Sequence, residues 1–267
     1  MGSTLKLTPE HHRAIAERLH AAIKSGKGID PPSESIDYGF EDAYRIRRLL
    51  VDLQIADGGR PCGHKIGFTS EAMQKMYGMS GPDFGQLLTP MILPAGVTVP
   101  ASILSDARVE PELAFELDRP LAGPGVTVED VLDATRCVRA CVEVIDSRVG
   151  AMRAKAVDSI ADNAGAGRVV LGSITLGPRD RALDDIGIGI TVDGVSLQGR
   201  SGDVMGHPAA PVAWLANKLA EIGGIGGSIN AGDIVISGSA TRSLPVRAGS
   251  RLHAVFGPFG HIDIDFT

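Results

Sequence analysis

The first sixty residues carry apolar side chains at helical spacing and predict two helices. The first begins at Thr8-Pro9-Glu10, where a capping hydroxyl precedes a proline and an acidic residue of the first turn. The second begins near Phe40 or Glu41 and ends at Gly58-Gly59. Together they predict an N-terminal helical cap over residues 1–60, which we expect to cover a sheet face rather than to contact a substrate. The apolar positions are Ile15, Leu19, Ala22 and Ile23 in the first helix and Ala43, Tyr44, Ile46, Leu50 and Leu53 in the second.

From Cys62 onward the pattern changes to short alternating runs, which predict a strand-rich domain over residues 61–267. The order of elements is not a steady β-α-β alternation, so a doubly wound sheet is disfavoured. Pro82-Asp83-Phe84-Gly85 is expected to form a turn or loop. Helices are predicted from Ser70 to Tyr77, from Thr127 to about Cys141 and from Pro211 to Ile222, and strands over Gly63–Phe68, Val97–Pro100, Arg108–Leu117, Val142–Asp146, Arg168–Leu171, Ile186–Val192, Asp233–Ser237, Arg251–Phe256 and Ile262–Phe266.

Composition and charge exclude several classes of function. The formal charge is −6 and no cluster of five Lys or Arg residues occurs, so nothing suggests nucleic-acid binding. No stretch approaches the roughly 20 apolar residues of a membrane span, and the first residues lack the apolar run of a signal peptide. Three cysteines fit a reducing cytoplasm better than a disulfide framework. Cys137 and Cys141, four apart on a predicted helix, are interpreted as core residues rather than as a zinc pair.

Two glutamates occupy alternate positions of the predicted strand Arg108–Leu117. Side chains at i and i+2 of a strand point to the same face, so Glu110 and Glu112 place two carboxylates side by side, about 7 Å apart at the backbone. The flanking residues are apolar, and buried carboxylates repel each other unless a positive group lies between them. A hard divalent cation, Mg²⁺ or Mn²⁺, is the natural partner. The alternative is two glutamates on a solvated sheet face.

A second predicted strand supplies a third carboxylate. Glu143 lies among β-branched residues of Val142–Asp146. Three carboxylates from two strands suffice for a metal site that water or substrate completes. Alternatively, Glu143 is paired with an arginine in the core.

Three further polar segments are candidates for chemistry. Lys65, in a short strand flanked by glycines, can stabilise an enolate or carry a proton, or else it is a surface lysine. Asp83, between proline and glycine, is by default a turn residue. Residues 157–165, which include Asp162 and Asn163, are expected to form a polar loop that lines a pocket, although backbone capping explains such residues too.

Taken together, these segments resemble the hydratase/decarboxylase branch of the fumarylacetoacetate hydrolase superfamily. Its members include 2-oxopent-4-enoate hydratases and 4-oxalocrotonate decarboxylases of aromatic-degradation pathways. The resemblance spans roughly residue 40 to the C-terminus, and its motifs occur in the family's order. The matching segments are residues 63–70, 82–85, 109–115, 143–148, 161–164, 211–217 and 231–239.

The resemblance implies a mixed β-roll of the α+β class with an N-terminal helical region, assembled into homo-oligomers. It implies that Glu110, Glu112 and Glu143 bind a divalent metal, Mg²⁺ or Mn²⁺. Lys65 matches the active-site lysine, and Asp83 matches an acidic residue that handles protons. The residues implied to contact the substrate are Asp162, Asn163, Ala164 and Gly165.

Two positions depart from the family pattern. Pro111 separates the two glutamates where relatives often have alanine or valine. Because proline donates no ladder hydrogen bond, the strand should lie at an edge or a bulge there. Gly165 stands where relatives often have serine, so the details of the substrate stay open.

The activity implied is the metal-dependent hydration of a 2-hydroxy-2,4-dienoate to a 4-hydroxy-2-oxo acid. Asp83 favours a hydratase, because the family's decarboxylases resemble Pro-Val-Phe-Gly or Pro-Ile-Phe-Gly at this point. The alternatives are a 4-oxalocrotonate-type decarboxylase, a C–C bond hydrolase, and an inactive partner that associates with a related decarboxylase or hydratase. The hydrolase would need a His–Glu pair, but His11 and His12 are expected to face solvent. An inactive partner would have lost at least one of the carboxylates.

Overall fold

The fold is described from a computed structural model over residues 5–70, 74–75, 78–150, 153–223 and 227–267. Its helices are α1 (Pro9–Ser25), α2 (Phe40–Ala56), α3 (Val128–Ala134), α4 (Ala156–Ala161) and α5 (Ala210–Glu221). Its strands are β1 (Pro61–Gly67), β2 (Asp83–Leu88), β3 (Ile92–Pro94), β4 (Thr98–Val99), β5 (Ala107–Leu117), β6 (Thr135–Asp146), β7 (Arg168–Leu176), β8 (Gly187–Val192), β9 (Val195–Arg200), β10 (Ile234–Ile236), β11 (Leu244–Pro245), β12 (Arg251–Val255) and β13 (His261–Phe266).

Two sheets form the body of the protein. The larger runs β2-β1-β10-β5-β6-β7-β3, with β11 also paired to β5, and the smaller runs β4-β13-β12-β8-β9. The pairs β1–β10, β3–β7 and β4–β13 are parallel and the others are antiparallel, so both sheets are mixed. Apolar side chains from both sheets and from α5 share one main core. None of the described helices is long and apolar enough to cross a membrane.

The long pair β5–β6 lies near the middle of the larger sheet and shows the alternation that the sequence predicts. Val109 and Leu113 point into the main core. Glu110 and Glu112 therefore point to the opposite face of the sheet. In the register of the two strands Glu110 lies directly opposite Glu143, so strand pairing alone brings the third carboxylate to the first two.

The sequence predicted an edge or a bulge at Pro111, but β5 is not an edge strand and pairs with β6 without a register shift from Ala107 to Glu116. Pro111 lies instead at a local gap, because β10 pairs with β5 up to Ala114 and β11 pairs again from Val109. The carbonyl of Pro111 faces this gap and accepts a hydrogen bond from Ser239 Oγ at 3.3 Å. The N–H and C=O of one strand residue point to the same side, so the missing N–H costs no ladder hydrogen bond.

The two N-terminal helices form as predicted. Thr8 caps α1 by accepting a hydrogen bond from the backbone N–H of His11. Their apolar faces form a second core that also contains Val149, Ile160 and Ala161 from beyond the predicted boundary. The cap is thus packed onto α4 and its neighbours, and the domain boundary at residue 60 stays a prediction.

Two predictions of local structure are wrong because long-range strand pairing overrides local preference. The segment Pro82-Asp83-Phe84-Gly85 is not a turn, since β2 begins at Asp83 and pairs with β1. The helix that begins at Val128 ends at Ala134. Residues 135–146 form β6 instead, so Cys137 and Cys141 lie on a strand rather than on a helix.

Two other predicted segments are placed differently or lie largely outside the described residues. Residues 157–161 of the expected polar loop 157–165 belong to the short helix α4, and only the residues after it are irregular or 3₁₀. The predicted helix from Ser70 to Tyr77 falls mostly on residues outside the described ranges.

Asp42 ties the N-terminal segment to α2 and is fully buried. Its carboxylate lies 2.8 Å from His12 Nε2 and accepts hydrogen bonds from the backbone N–H groups of Lys6, Leu7 and Gly39, each at 3.2 Å. Burial disfavours the ionised form, but these contacts outweigh it and hold the pKa of Asp42 below its ordinary value. His12, expected in solvent, is therefore buried as the partner of this carboxylate.

We expect Asp42→Asn to lower the free energy of unfolding by about 2–4 kcal/mol at neutral pH, because asparagine offers one acceptor oxygen to these donors. A carboxylate with a depressed folded pKa stabilises the fold above its unfolded pKa of about 4, and this contribution is lost as the pH falls through the folded pKa. Urea unfolding near pH 7 and near pH 3 measures both effects, with the exposed Asp52→Asn on the same helix as control. An equal loss at both pH values would contradict this role.

Candidate active site

Three glutamates of β5 and β6 converge on one point. One carboxylate oxygen from each of Glu110, Glu112 and Glu143 lies within 4.8 Å of the other two. Glu112 and Glu143 are each 1% exposed, and Glu110 is half-buried. The structure therefore brings together the residues that the sequence singled out, while their binding of a metal stays a prediction.

The carboxylates carry more negative charge than their surroundings balance. Burial raises the pKa of Glu110 to about 7, and the charge of Glu143 adds to this. Burial also raises the pKa of Glu112 well above its ordinary value, with Glu143 and Glu110 contributing. The pKa of Glu143 is raised by burial although Lys65 opposes the shift. Such a cluster is stable in its ionised form only with a further positive charge.

The oxygen atoms of the cluster fit a hard divalent cation. Within the described part of the chain, Glu112 Oε1 and Glu143 Oε2 are buried without a hydrogen-bond partner. Buried polar atoms of this kind are rare unless a water or an ion satisfies them. Carboxylate oxygens are the ligands that Mg²⁺, Mn²⁺ and Ca²⁺ prefer, so the residues present are suited to such an ion.

Lys65 is buried beside the carboxylates, not on the surface. Its side chain extends from β1, is 4% exposed, and places Nζ 3.2 Å from Glu143 Oε1. Burial alone would lower the pKa of Lys65, but the negative charges around it, Glu143 first, outweigh burial and raise it. Lys65 is therefore a charged ammonium group. Glu143 is paired with this lysine, and not with the core arginine that the sequence analysis gave as an alternative.

A glycine two residues before this lysine allows a close approach of β1 and β10. Gly63 has φ +147°, and a Cβ atom there would lie 1.8 Å from the carbonyl oxygen of Ile234 on β10. Only glycine fits this position. The predicted role of the flanking glycines, to admit a neighbouring segment, thus applies to Gly63 and places Lys65 next to β10.

Asp83 is the first residue of β2 and is 1% exposed. It pairs with Gly67 two residues beyond Lys65, so both side chains lie on the same face of the β1–β2 pair. Oδ1 accepts a hydrogen bond from the backbone N–H of Phe84 at 2.7 Å, and Oδ2 accepts one from Ser159 Oγ at 3.3 Å. Burial raises the pKa of Asp83, against the opposing charges of nearby cations.

Two residues beside the glutamates were not assigned from the sequence. The backbone N–H of Gly238 donates to Glu112 Oε2 at 2.7 Å and so fixes one oxygen of that carboxylate. Gly238 has φ +88°, and a Cβ there would lie 2.5 Å from Thr69 Cγ2. Arg108 is held by Ser243, at 2.7 Å to its hydroxyl, and its charge lowers the pKa of Glu110 against burial. Arg108 lies two residues before Glu110 on the same strand, and this spacing is the signal from which a shared face could have been predicted.

The residues predicted to bind substrate do not share one environment. Asp162 Oδ1 lies 2.7 Å from Arg148 Nε, and Oδ2 accepts from the Arg148 backbone N–H at 2.8 Å. Burial raises the pKa of Asp162 to about 6 despite this arginine. Oδ1 is thus engaged in a buried ion pair and Oδ2 in a backbone hydrogen bond, and a contact of Asp162 with substrate stays a prediction.

The next three residues form a left-handed turn against β2. Asn163, Ala164 and Gly165 have φ of +53°, +53° and +66°, a conformation that is strained for the first two and frequent at functional sites. The Asn163 side chain is bonded to the backbone N–H and C=O of Gln86 at 2.8 and 2.9 Å. The turn therefore lies beside Gly85, the residue that pairs with Lys65.

Proteins of known function include relatives that match nearly the whole chain. A 2-oxo-hept-4-ene-1,7-dioate hydratase of Escherichia coli is 39% identical over 266 residues, covering 96% of this chain and 98% of that protein. A 2-hydroxyhexa-2,4-dienoate hydratase of Comamonas testosteroni is 38% identical over 255 residues, covering 94% and 96%. No protein-family model matches the chain.

Solved structures share the fold. A 4-oxalocrotonate decarboxylase from Pseudomonas putida G7, complexed with magnesium and adipate, is 30% identical with a TM-score of 0.93 over 99% of this chain and 100% of the other. A fumarylpyruvate hydrolase from Pseudomonas aeruginosa, in complex with Mn²⁺ and pyruvate, is 15% identical with a TM-score of 0.60 over 77% and 89%, and shows likeness of fold alone. The predicted α+β mixed β-roll is confirmed.

We expect Glu110→Gln to stabilise the protein in the presence of a chelator, by about 1–3 kcal/mol near pH 8, because it removes one of three repelling charges. Urea unfolding with excess EDTA measures the change. The exposed Glu17→Gln on α1 is the control and should alter stability by less than about 0.5 kcal/mol. A loss of stability in Glu110→Gln would mean that Arg108 already satisfies this carboxylate.

Proposed function

Since the chain belongs to the hydratase/decarboxylase branch of the fumarylacetoacetate hydrolase superfamily, we propose that it is a divalent-metal-dependent hydro-lyase. Its substrate is a small 2-hydroxy-2,4-dienoate, and its product is a 4-hydroxy-2-oxo acid. The relatives named as hydratases support the reaction type. The observation that carries the proposal is the buried Asp83 on the same sheet face as Lys65, whose ammonium group lies beside the three converging carboxylates.

Glu110, Glu112 and Glu143 would hold the divalent ion, for which we favour Mg²⁺. The support is the all-oxygen donor set with its unpartnered atoms, together with the magnesium in the decarboxylase structure. When bound, such an ion supplies an electron sink for the 2-oxo group of the substrate. The hydrogen bond from Gly238 to Glu112 Oε2 leaves Oε1 free and so orients this carboxylate for the role.

Lys65 has the properties of a group that stabilises negative charge on the substrate. Its raised pKa keeps the proton on Nζ, and its burial places that charge where little water screens it. In the proposed reaction Nζ donates a hydrogen bond to the substrate oxygen at C2, on which negative charge develops. Lys65 thus keeps its proton while the substrate is rearranged.

Asp83 has the properties of the group that moves protons. Ketonisation of the dienol removes a proton from the 2-hydroxyl and delivers one to C5, and hydration then adds hydroxide at C4 and a proton at C3. Asp83 accepts and returns the proton in these steps through its carboxylate, which Phe84 and Ser159 hold in place. The burial of Asp83 and its neighbours excludes bulk water from the reacting group.

A 4-oxalocrotonate-type decarboxylase is the second candidate. It is favoured by the high structural similarity of the Pseudomonas putida decarboxylase. An apolar residue at position 83 would suit decarboxylation, whereas the carboxylate of Asp83 suits the addition of water. Homo-oligomeric assembly and association with a related enzyme, both implied by the family resemblance, stay predictions.

The first test compares two substrates by ultraviolet absorbance in the presence of Mg²⁺. We expect 2-hydroxypenta-2,4-dienoate to be consumed faster than the dicarboxylate 4-oxalocrotonate, and EDTA to stop the reaction. Glu112→Gln should abolish turnover and weaken Mg²⁺ binding measured by calorimetry, because it removes one ligand charge. Faster loss of 4-oxalocrotonate with release of CO₂ would favour the decarboxylase, and an active Glu112→Gln would remove the metal assignment.

The second test separates the role of Asp83 from that of the metal ligands. We expect Asp83→Asn to lower kcat by about 10²–10⁴-fold, the usual contribution of a general acid–base group. Calorimetric Mg²⁺ affinity should stay within about twofold of the wild type, because Asp83 is not one of the three converging glutamates. Equal losses of Mg²⁺ affinity and of kcat would instead assign Asp83 to the metal site.

A further inference from the structure

We propose that the N-terminal helical cap is part of the catalytic apparatus, and that Arg47 of α2 is a positioning residue that holds Asp83. The inference rests on the proposed function, in which Asp83 moves protons. It goes beyond the expectation that the two helices only cover a sheet face.

Arg47 reaches from α2 to the start of β2. It is 3% exposed, and Nη1 donates a hydrogen bond to the carbonyl of Phe84 at 2.8 Å. Its guanidinium carbon lies 4.0 Å from the centre of the Phe84 ring and 4.9 Å from that of Tyr44. The same Phe84 donates its backbone N–H to Asp83 Oδ1. Arg47 therefore holds the backbone of Phe84, and Phe84 in turn fixes one oxygen of the Asp83 carboxylate.

The burial of this guanidinium is costly without a compensating charge. Nη2 is buried and has no hydrogen-bond partner within the described ranges. Burial lowers the pKa of Arg47 to about 10 while the charge of Asp83 opposes this, so Arg47 is still charged at neutral pH. The favourable interaction with Asp83 offsets part of the desolvation of both groups.

The cap also acts on the second oxygen of Asp83, indirectly through α4. Asp158, on α4, is fully buried and accepts hydrogen bonds from Ser33 Oγ at 2.6 Å and from Tyr38 Oη at 2.7 Å. The next residue, Ser159, donates to Asp83 Oδ2. The segment between α1 and α2 thus positions α4, and α4 positions the donor to the second oxygen of Asp83.

The test is a double-mutant cycle with Arg47→Gln, Asp83→Asn and both together, assayed with Mg²⁺ and the dienoate. If Arg47 acts through Asp83, Arg47→Gln lowers kcat by about 10- to 100-fold in the wild type and by less than about threefold in Asp83→Asn. KM and Mg²⁺ affinity should change little. Arg48→Gln is the matched control, because the neighbouring Arg48 is exposed and paired with Asp52, and it should keep wild-type kcat.

A pH profile distinguishes this role from a purely structural tether. Among the residues that the structure describes, the charged or titratable groups around Asp83 are Arg47 and Tyr44 from α2 and Lys65 from β1. Loss of the Arg47 charge disfavours the ionised Asp83, so the limb of kcat/KM that Asp83 sets moves to higher pH in Arg47→Gln. Arg47→Lys keeps the charge and should keep the limb in place; a tether alone would leave the limb unmoved in both variants.

Several outcomes would overturn the inference. Equal loss from Arg47→Gln in the wild type and in Asp83→Asn would show independent effects, and wild-type kcat in Arg47→Gln would remove the role altogether. If Arg47→Gln does not fold by circular dichroism, Arg47→Lys carries the same cycle, because it keeps the charge but loses the guanidinium hydrogen bond to Phe84; it should lower kcat in the wild type and have little effect in Asp83→Asn. Wild-type turnover in Asp83→Asn would contradict the proposed acid–base role of Asp83 as well. An inactive Asp83→Asn together with an unaffected Arg47→Gln would contradict only the role of Arg47.

Discussion

The concentration of negative charge between β5 and β6 is the constraint on which the rest of the site depends. One oxygen from each of the three carboxylates lies within 4.8 Å of the other two, and two of the carboxylates are almost fully removed from water. Repulsion in such a place is far stronger than on a surface. The pairing of β5 with β6 fixes the backbone positions from which the three side chains extend, so their charge has to be balanced by positive groups at this place.

The larger sheet arranges this positive charge and the remaining groups in one row. Its strand order β2-β1-β10-β5-β6 runs from Asp83 through Lys65 to the segment after β10, where Gly238 lies, and on to the glutamates. Neighbouring strands are about 4.8 Å apart, so these groups follow one another across the sheet without long loops between them. Groups carried by paired strands are held more rigidly than groups on loops, which suits a site that must keep like charges together.

The part of this arrangement that could be predicted from the sequence is the part that depends on local periodicity. Glu110 and Glu112 stand at alternate positions of an apolar run, and that spacing alone places them on one face. The start of β2 at Asp83 could not be predicted, because proline and glycine around it signal a turn and only pairing with β1 makes it a strand. The same holds for β6: the sequence pattern of its first residues predicts a helix, and only their pairing with β5 makes them a strand. Gly238 and Arg47 act across distances in the sequence that no local pattern reports.

The charges of the site alternate in sign as they extend away from the glutamates. Lys65 is positive next to Glu143, and Asp83 is a negative group whose pKa both Lys65 and Arg47 lower against burial. Arg47, the last in the series, comes from α2 rather than from the sheet. Each buried charge lowers the cost of burying its neighbour, whereas an isolated one would neutralise or draw in water. Arg47 therefore adds a cation from outside the β-roll to this series. Its charge connects the N-terminal helices to the site through Asp83, in addition to their apolar packing.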